Sequence, residues 1–466
     1  MESDTDRGRQ QNLPCVHPTD LEVHVFPDGL DMAYRFAVFN GLSSQIVLGS
    51  PMVLYAKSLG ASSTVLGLIT GMMPLLVILQ IPAAQNVLRV GYKQFMMAGW
   101  SARAFVVFGM ALVPLSGGFL DNTTQLVLML ALLFLYNFLR GIVSGAWLPW
   151  VTGLIPVGLR GRYITREQWC VNLAGALSLG LVAILLESRS SSWRFALVFL
   201  FSACMGLLSL VYLKRIPDIK VPPEEAKASG PVPWLELSRY APFPKILQAN
   251  IAWGVAYGGL QTFIVSFLRS QGGMTDGSVL LAMATFYIGG MASLWIAGSR
   301  MDRHGSKPVL KFTMLLLGAM CLCWALMAAG ILPVNQPLAI ILLLILGLGS
   351  TLFVAAQYRL AMITIPKMGR SHCFALFSVV LNLALGLSPL LWGLLLDLIG
   401  PWTALSFGFE WNRFSLFFAT LALAFAAVLH FTHRLEESKA APIEDLLHDL
   451  LVDEPKRVLS RIRLGQ

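Results

Sequence analysis

Arg103 and Arg140 each lie inside an apolar stretch long enough to cross a bilayer. A guanidinium at that depth is costly unless something partners it. The chain has 25 acidic residues, and none falls near the centre of such a stretch; Asp31, Glu187 and Asp397 sit at stretch ends. The partners open to these arginines are backbone carbonyls, Asn137, or an anion brought in from solution. Proton-driven carriers commonly hold a carboxylate or histidine deep in the membrane. All seven histidines here lie in loops, tails or stretch ends. The chemistry suggested is the binding of a polar or negatively charged solute.

The elements that position these residues are membrane helices. Of the 466 residues, 56% are hydrophobic and 13% charged, about half the charge of an ordinary soluble domain. A spanning helix needs about 20 apolar residues. That length predicts spans near 33–56, 64–88, 94–114, 124–152, 167–187 and 193–213, then near 244–268, 277–299, 308–330, 337–360, 372–397 and 412–432. A proline-rich polar stretch, 214–243, reads as a linker between two six-helix halves, 33–213 and 244–432. Residues 1–32 form a polar N-terminal segment without the apolar run of a signal peptide, so insertion is expected to begin with the first span. In the tail, 433–466, Ile443, Leu446, Leu447, Leu450 and Leu451 have the spacing of an amphipathic helix.

Lys and Arg set the orientation. Counting residues at the span ends, the loops that become internal with a cytoplasmic N-terminus carry 18 of them, and the external loops carry 5. This bias predicts a multi-pass protein of the plasma membrane with both termini in the cytoplasm. The net charge of +9 is explained by these loops, and nucleic acid is not an expected partner. The six cysteines show no disulfide or zinc spacing. No nucleophile–base set or metal cluster lies inside the spans, and the sequence has no G-x-x-x-x-G-K-[ST] loop. Neither an enzyme nor a nucleotide-driven pump is expected, and no cofactor or metal.

The halves are repeats of one another. Arg89, Gly91 and Lys93 match Arg303, Gly305 and Lys307 at an offset of 214 residues, and the run N-L-A-x-x-L-S at Asn172 to Ser178 recurs at Asn382 to Ser388, offset by 210. Several ordered matches at nearly one offset mark a duplication. The second copy reads Gly298-Ser299-Arg300-Met301-Asp302-Arg303-His304-Gly305-Ser306-Lys307. It resembles the G-x-x-x-D-R-x-G-x-K/R signature of the major facilitator superfamily, and Arg160-Gly161-Arg162-Tyr163 looks like another stretch of that family. Leu88 stands where the first copy would carry the aspartate. Asp302, Arg303, Gly305 and Lys307, with Arg89, Gly91 and Lys93, are therefore expected to form a conformational latch, the second copy being the stronger. Gly305 would permit the tight turn.

The resemblance implies an all-α membrane protein of twelve transmembrane helices in two pseudo-symmetric halves, with solute held at the midplane between them. Spans 1, 4, 7 and 10 would line the cavity. Their polar residues are Asn40 and Gln45, Asn137 and Arg140, Asn250, Tyr257 and Gln261, and Gln357. Asn40 and Asn250 are 210 apart, a placement from which they could face each other across the pseudo-symmetry axis. Gln45, Tyr257 and Gln261 read as cavity residues, Asn172 and Asn382 as helix-packing ones, and Arg103, in a peripheral span, as structural. The function implied is a monomeric secondary transporter working by alternating access, with uniport or exchange of a small polar or anionic solute favoured by the missing central acid. Two alternatives stand beside it. One is a proton-coupled exporter of amphipathic compounds using Asp31 or Asp397. The other is a facilitator-fold scaffold or assembly factor that no longer transports.

Overall fold

Long apolar runs leave the backbone one way to satisfy its polar groups in lipid, which is to hydrogen-bond along a helix. The structure, a computed structural model, describes residues 29–155, 159–187, 191–219, 242–364 and 370–435 apart from 407, with isolated positions beyond. Among the described residues are twelve helices long and apolar enough to cross a membrane. The first six are Leu30–Ser58, Ser63–Ala83, Tyr92–Gly118, Asn122–Val151, Arg162–Leu186 and Ser192–Arg215. The second six are Pro242–Ser270, Asp276–Leu294, Ser306–Ala328, Gln336–Met362, Leu376–Ile399 and Arg413–His433. Linker residues 220–241 and the proposed amphipathic tail residues Ile443, Leu446, Leu447, Leu450 and Leu451 lie outside the described residues, as does the N-terminal segment up to residue 28.

Two spans are broken at matching places. Helix Leu30–Leu48 ends at Gly49, whose backbone is extended, and Ser50–Ser58 carries span 1 onward. In span 7, helix Pro242–Tyr257 gives way at Gly258 and Gly259 to Leu260–Ser270. Gly49 and Gly259 are 210 residues apart, the offset of the sequence repeat. At Gly49 the following Pro51 has no N–H to continue the ladder. Broken helices at corresponding positions of two repeats point to a binding site between them.

The halves meet along two crossings, span 2 against span 11 and span 5 against span 8. Small residues let the backbones approach. There is no room for a Cβ at Gly67 or Gly71 against Pro389 and Gly386, nor at Gly277 against the end of span 5. One element departs from the helical pattern. Strands β1 (Thr403–Ser406) and β2 (Phe409–Asn412) form an antiparallel hairpin between spans 11 and 12. Asn412 ends it and starts span 12 through a reciprocal cap, accepting from the Phe414 and Ser415 amides at 3.0 Å while Ser415 Oγ accepts from the Asn412 amide at 2.8 Å. This end of the bundle is the hairpin face. The opposite end, carrying Gly91 and Gly305, is the motif face.

Candidate solute cavity and a buried arginine cluster

The breaks in spans 1 and 7 wall a cavity of about 250 Å³ shared by the two halves. Gly49, Ser50 and Thr70 line it from the first half, and Tyr257, Gln261 and Thr262 from the second. Gln261 Nε2 donates to Tyr257 Oη at 3.1 Å. The Tyr257 ring stacks on Trp253, which stacks in turn on Phe353, with centroids 4.7 and 3.6 Å apart. Two hydrogen bonds cross between the halves here. Thr70 and Thr262 hydroxyls pair at 2.6 Å, and Tyr287 Oη donates to Gln45 Oε1 at 2.5 Å. The cavity thus gathers Tyr257 and Gln261, while Gln45 is engaged by Tyr287, a residue the sequence did not single out. Asn382 also lines the cavity, whereas Asn172 is buried in the crossing of spans 5 and 8 beside Gly290.

Asn40 and Asn250 do not pair with each other. Asn40 Oδ1 accepts from Arg103 Nη2 and, at 3.1 Å, from Trp100 Nε1. Asn250 Oδ1 accepts from Gln357 Nε2. Each asparagine is engaged within its own half, Asn40 by donors of span 3 and Asn250 by a donor of span 10. Asn250 and Gln357 are both buried.

Arg103 is 4% exposed. Its guanidinium carbon lies 4.4 Å from the Trp100 ring centre and 5.1 Å from that of Tyr136, so aromatic faces supply part of the compensation that water would have given. Arg140 is one turn from Tyr136 on span 4, within the field of both Tyr136 and Arg103. Neither arginine forms an ion pair with a carboxylate among the described residues. Four buried polar atoms in this cluster have no hydrogen-bond partner: Arg103 Nη1, Arg140 Nη1, Tyr136 Oη and Asn137 Oδ1. Asn137 spends its amide on the Leu133 carbonyl of its own helix, at 3.0 Å. Three of the four orphans are donors, and two belong to cations. The three donors lack an acceptor, and Asn137 Oδ1 lacks a donor.

Glu167 was hidden from the sequence by a boundary. The expected fifth span begins at 167, but the helix begins at Arg160, so Glu167 lies about two turns inside it. The side chain is half-buried and accepts from Trp147 Nε1 at 3.0 Å. Trp147 sits among Phe36 and Trp150, while Tyr34 and Tyr163 stack nearby.

On the motif face, Gly91 and Gly305 both have positive φ, 90° and 87°. That conformation costs glycine nothing and strains other residues. In each half the lysine two residues on reaches a carbonyl just past the sixth helix of its own half. Lys93 Nζ donates to Ile216 O at 2.9 Å, and Lys307 Nζ to Leu435 O at 2.7 Å. In the second half a carboxylate joins in. Glu437 accepts from the Ser306 amide at 2.9 and 3.0 Å and from the Lys307 amide at 2.8 Å, capping span 9. Arg359 ties the two, at 3.5 Å from Glu437 and 3.1 Å from Ser306 Oγ. Arg89 is exposed, and the side chains of Asp302 and Arg303 lie outside the described residues. Among the described residues, no group of three His, Cys, Asp or Glu could hold a metal ion.

The architecture is that of a two-repeat membrane transporter with its cavity at the repeat interface. Sequence comparison with family models matches the Major Facilitator Superfamily over residues 36–389 and 273–463, and the chain belongs to that family. No curated protein matches it in sequence. Solved structures share the fold at low identity. The D-xylose-proton symporter is 13% identical with a TM-score of 0.69, over 89% of this chain and 99% of its own. The nucleoside transporter NupG is 12% identical with a TM-score of 0.61, over 87% and 98%. A bacterial metal transporter is 12% identical with a TM-score of 0.58, over 88% and 99%.

Proposed function

We propose that the protein carries a small anionic solute by alternating access, as a uniporter or exchanger, with the motif face cytoplasmic. The fold neighbours move a sugar, nucleosides and a metal, so fold alone does not choose the solute. The observation that carries the anionic reading is Arg140, whose buried Nη1 has no hydrogen-bond partner and which forms no ion pair with a carboxylate among the described residues. An anion would supply the counter-charge that this buried guanidinium otherwise lacks. Tyr257 and Gln261 would contact the uncharged part of the solute at the helix breaks. Asn40, Asn250 and Gln357 would support those contacts from inside their halves. In this reading Arg89, Gly91 and Lys93, with Gly305 and Lys307, hold each half's ends together, so that the halves rock as rigid bodies.

The test is counterflow in proteoliposomes over a panel of organic anions, sugars and neutral drugs, with and without a pH gradient. Gradient-independent exchange of an anion, lost in Arg140→Ala, is the expected result. Transport of neutral solutes only, indifferent to Arg140→Ala, overturns it. Proton coupling has one observation in its favour, the intramembrane carboxylate Glu167. The other two candidates for that role are engaged otherwise: Asp31 pairs with Arg35 at 3.7 Å on the surface, and Asp397 caps a helix.

A further inference from the structure

Asp397, at the end of span 11, reaches across the boundary between the halves and caps span 2. Its Oδ1 accepts from the Ser63 amide at 2.9 Å, and its Oδ2 accepts from the Thr64 amide and the Thr64 hydroxyl, both at 2.7 Å. The first turn of a helix carries unsatisfied N–H groups and the positive end of its dipole, and a carboxylate answers both. Such a cap normally comes from the helix's own chain neighbours. Here Ser62 makes only a 3.4 Å bond to Val65 N, and the strong cap comes from 334 residues away.

The placement of a carboxylate recurs. Glu187 lies 210 residues before Asp397 and likewise ends its span, the fifth. It sits against Gly277, in the first turn of span 8, where a Cβ would collide with its carboxylate and with the Ala183 carbonyl. Gly277 follows Ser63 by the 214-residue offset of the loop motif. Each crossing of the halves therefore places a carboxylate at the amino-terminal turn of a helix of the opposite half, and both lie on the hairpin face. Lys57 is also there, within the field of Asp397, Arg269 and Arg413. Further hydrogen bonds between the halves join Thr70 with Thr262 and Tyr287 with Gln45.

We infer that Asp397 and Glu187 are the bolts of the hairpin-face gate, and that opening this face requires Asp397 to release the first turn of span 2. The inference rests on the alternating-access reading. A cap within one rigid body would only add stability, whereas a cap between two moving bodies sets the balance between open and closed states. Asp397 is the principal bolt, with three hydrogen bonds, and Glu187 the lesser. Removing Asp397 takes this cross-half partner from the amides of Ser63 and Thr64, which weakens the closed face relative to the open one.

The experiment needs no solute, so its failure is separable from failure of the transport reading. Nitroxide labels on Ser58→Cys and Leu405→Cys, one on each half at the hairpin face, are placed in the full-length protein with its native cysteines replaced, in nanodiscs. Pulsed dipolar spectroscopy then reads their separation. A charged hydrogen-bond set of this kind corresponds to about a tenfold change in the ratio of long to short distances on Asp397→Ala. Thr64→Val, which removes one bond of three, should move the ratio the same way by less, as should Glu187→Ala. Each variant must elute as a single folded species; Thr64→Val, a near-isosteric change, serves if Asp397→Ala does not. An unchanged distance distribution in a folded Asp397→Ala or Thr64→Val protein overturns the inference. So does an unchanged distribution accompanied by a lower melting temperature, which would make the cap structural only.

Discussion

Arg103 and Asn40 are joined across spans 3 and 1, and the oxygen that receives the guanidinium also receives Trp100 Nε1. Among the described residues this acceptor is the side-chain atom that meets the buried charge of Arg103 in a hydrogen bond, and the faces of Trp100 and Tyr136 lie beside it. Asn40→Ala would strand the cation, and a buried charge that loses its acceptor costs more than a buried pair contributes. We expect Asn40→Ala to destabilise the protein by about 2 kcal/mol. Arg103→Met removes charge and need together and should cost less. Melting curves of the two purified variants decide it, and the reverse order would remove Asn40 from this role.

The twelve spans were legible because hydrophobic length is read directly, residue by residue. The repeat was legible too, and at its offset it pairs Gly49 with Gly259 and Glu187 with Asp397. The roles of these pairs were not legible. The chain has 41 glycines, and composition does not say which of them interrupts a helix rather than letting another helix approach. Asp397 reads as a surface acid at a span end until the packing of span 11 on span 2 brings it to Ser63. Asn40 and Asn250 were recognised as equivalents, but their partners come from helices whose rotation the sequence leaves open. Glu167 was lost because the fifth helix starts in a stretch rich in arginine, where hydropathy falls before the helix does. Tyr287 carried no signal at all, one tyrosine among ten.

Glu437 gives the second half a cap that the first half lacks among the described residues. Glu437→Gln keeps the shape but loses the charge that answers the Ser306 and Lys307 amides and Arg359. Helix capping and charge-assisted bonds of this kind contribute about 1–2 kcal/mol. The expected result is a lower melting temperature for Glu437→Gln than for Lys93→Ala, which loses a single bond to the Ile216 carbonyl. Equal losses would mean that the motif loops of the two halves are held equally and that Glu437 adds nothing.

Gly71 on span 2 faces Gly386 on span 11 with no space for a side chain. Gly71→Val must push the two helices apart, since overpacking of a tight contact costs about 1–3 kcal/mol. The displacement separates the halves along the crossing that Asp397 also closes. Gly109, where a Cβ would meet only the Leu132 side chain at 3.5 Å, is the control. Gly71→Val should lower yield and melting temperature while Gly109→Ala leaves both within error. Comparable behaviour of the two would show that the crossing is looser than its geometry indicates.

Glu167 separates the two transport readings. It is a half-buried carboxylate placed within a span, close to Trp147, Tyr34 and Tyr163. If transport is exchange of an anion at Arg140, Glu167 serves only to hold Trp147, and Glu167→Gln preserves that bond because an amide oxygen also accepts. Counterflow by Glu167→Gln should then stay within about twofold of the parent and remain insensitive to a pH gradient, since one neutral hydrogen bond changes little in the membrane. In a proton-coupled exporter the same substitution removes the group that binds and releases the proton. Gradient-driven transport would then vanish while counterflow survives. That outcome would transfer the coupling from the solute's own charge to this carboxylate and leave the anion-exchange proposal without its basis.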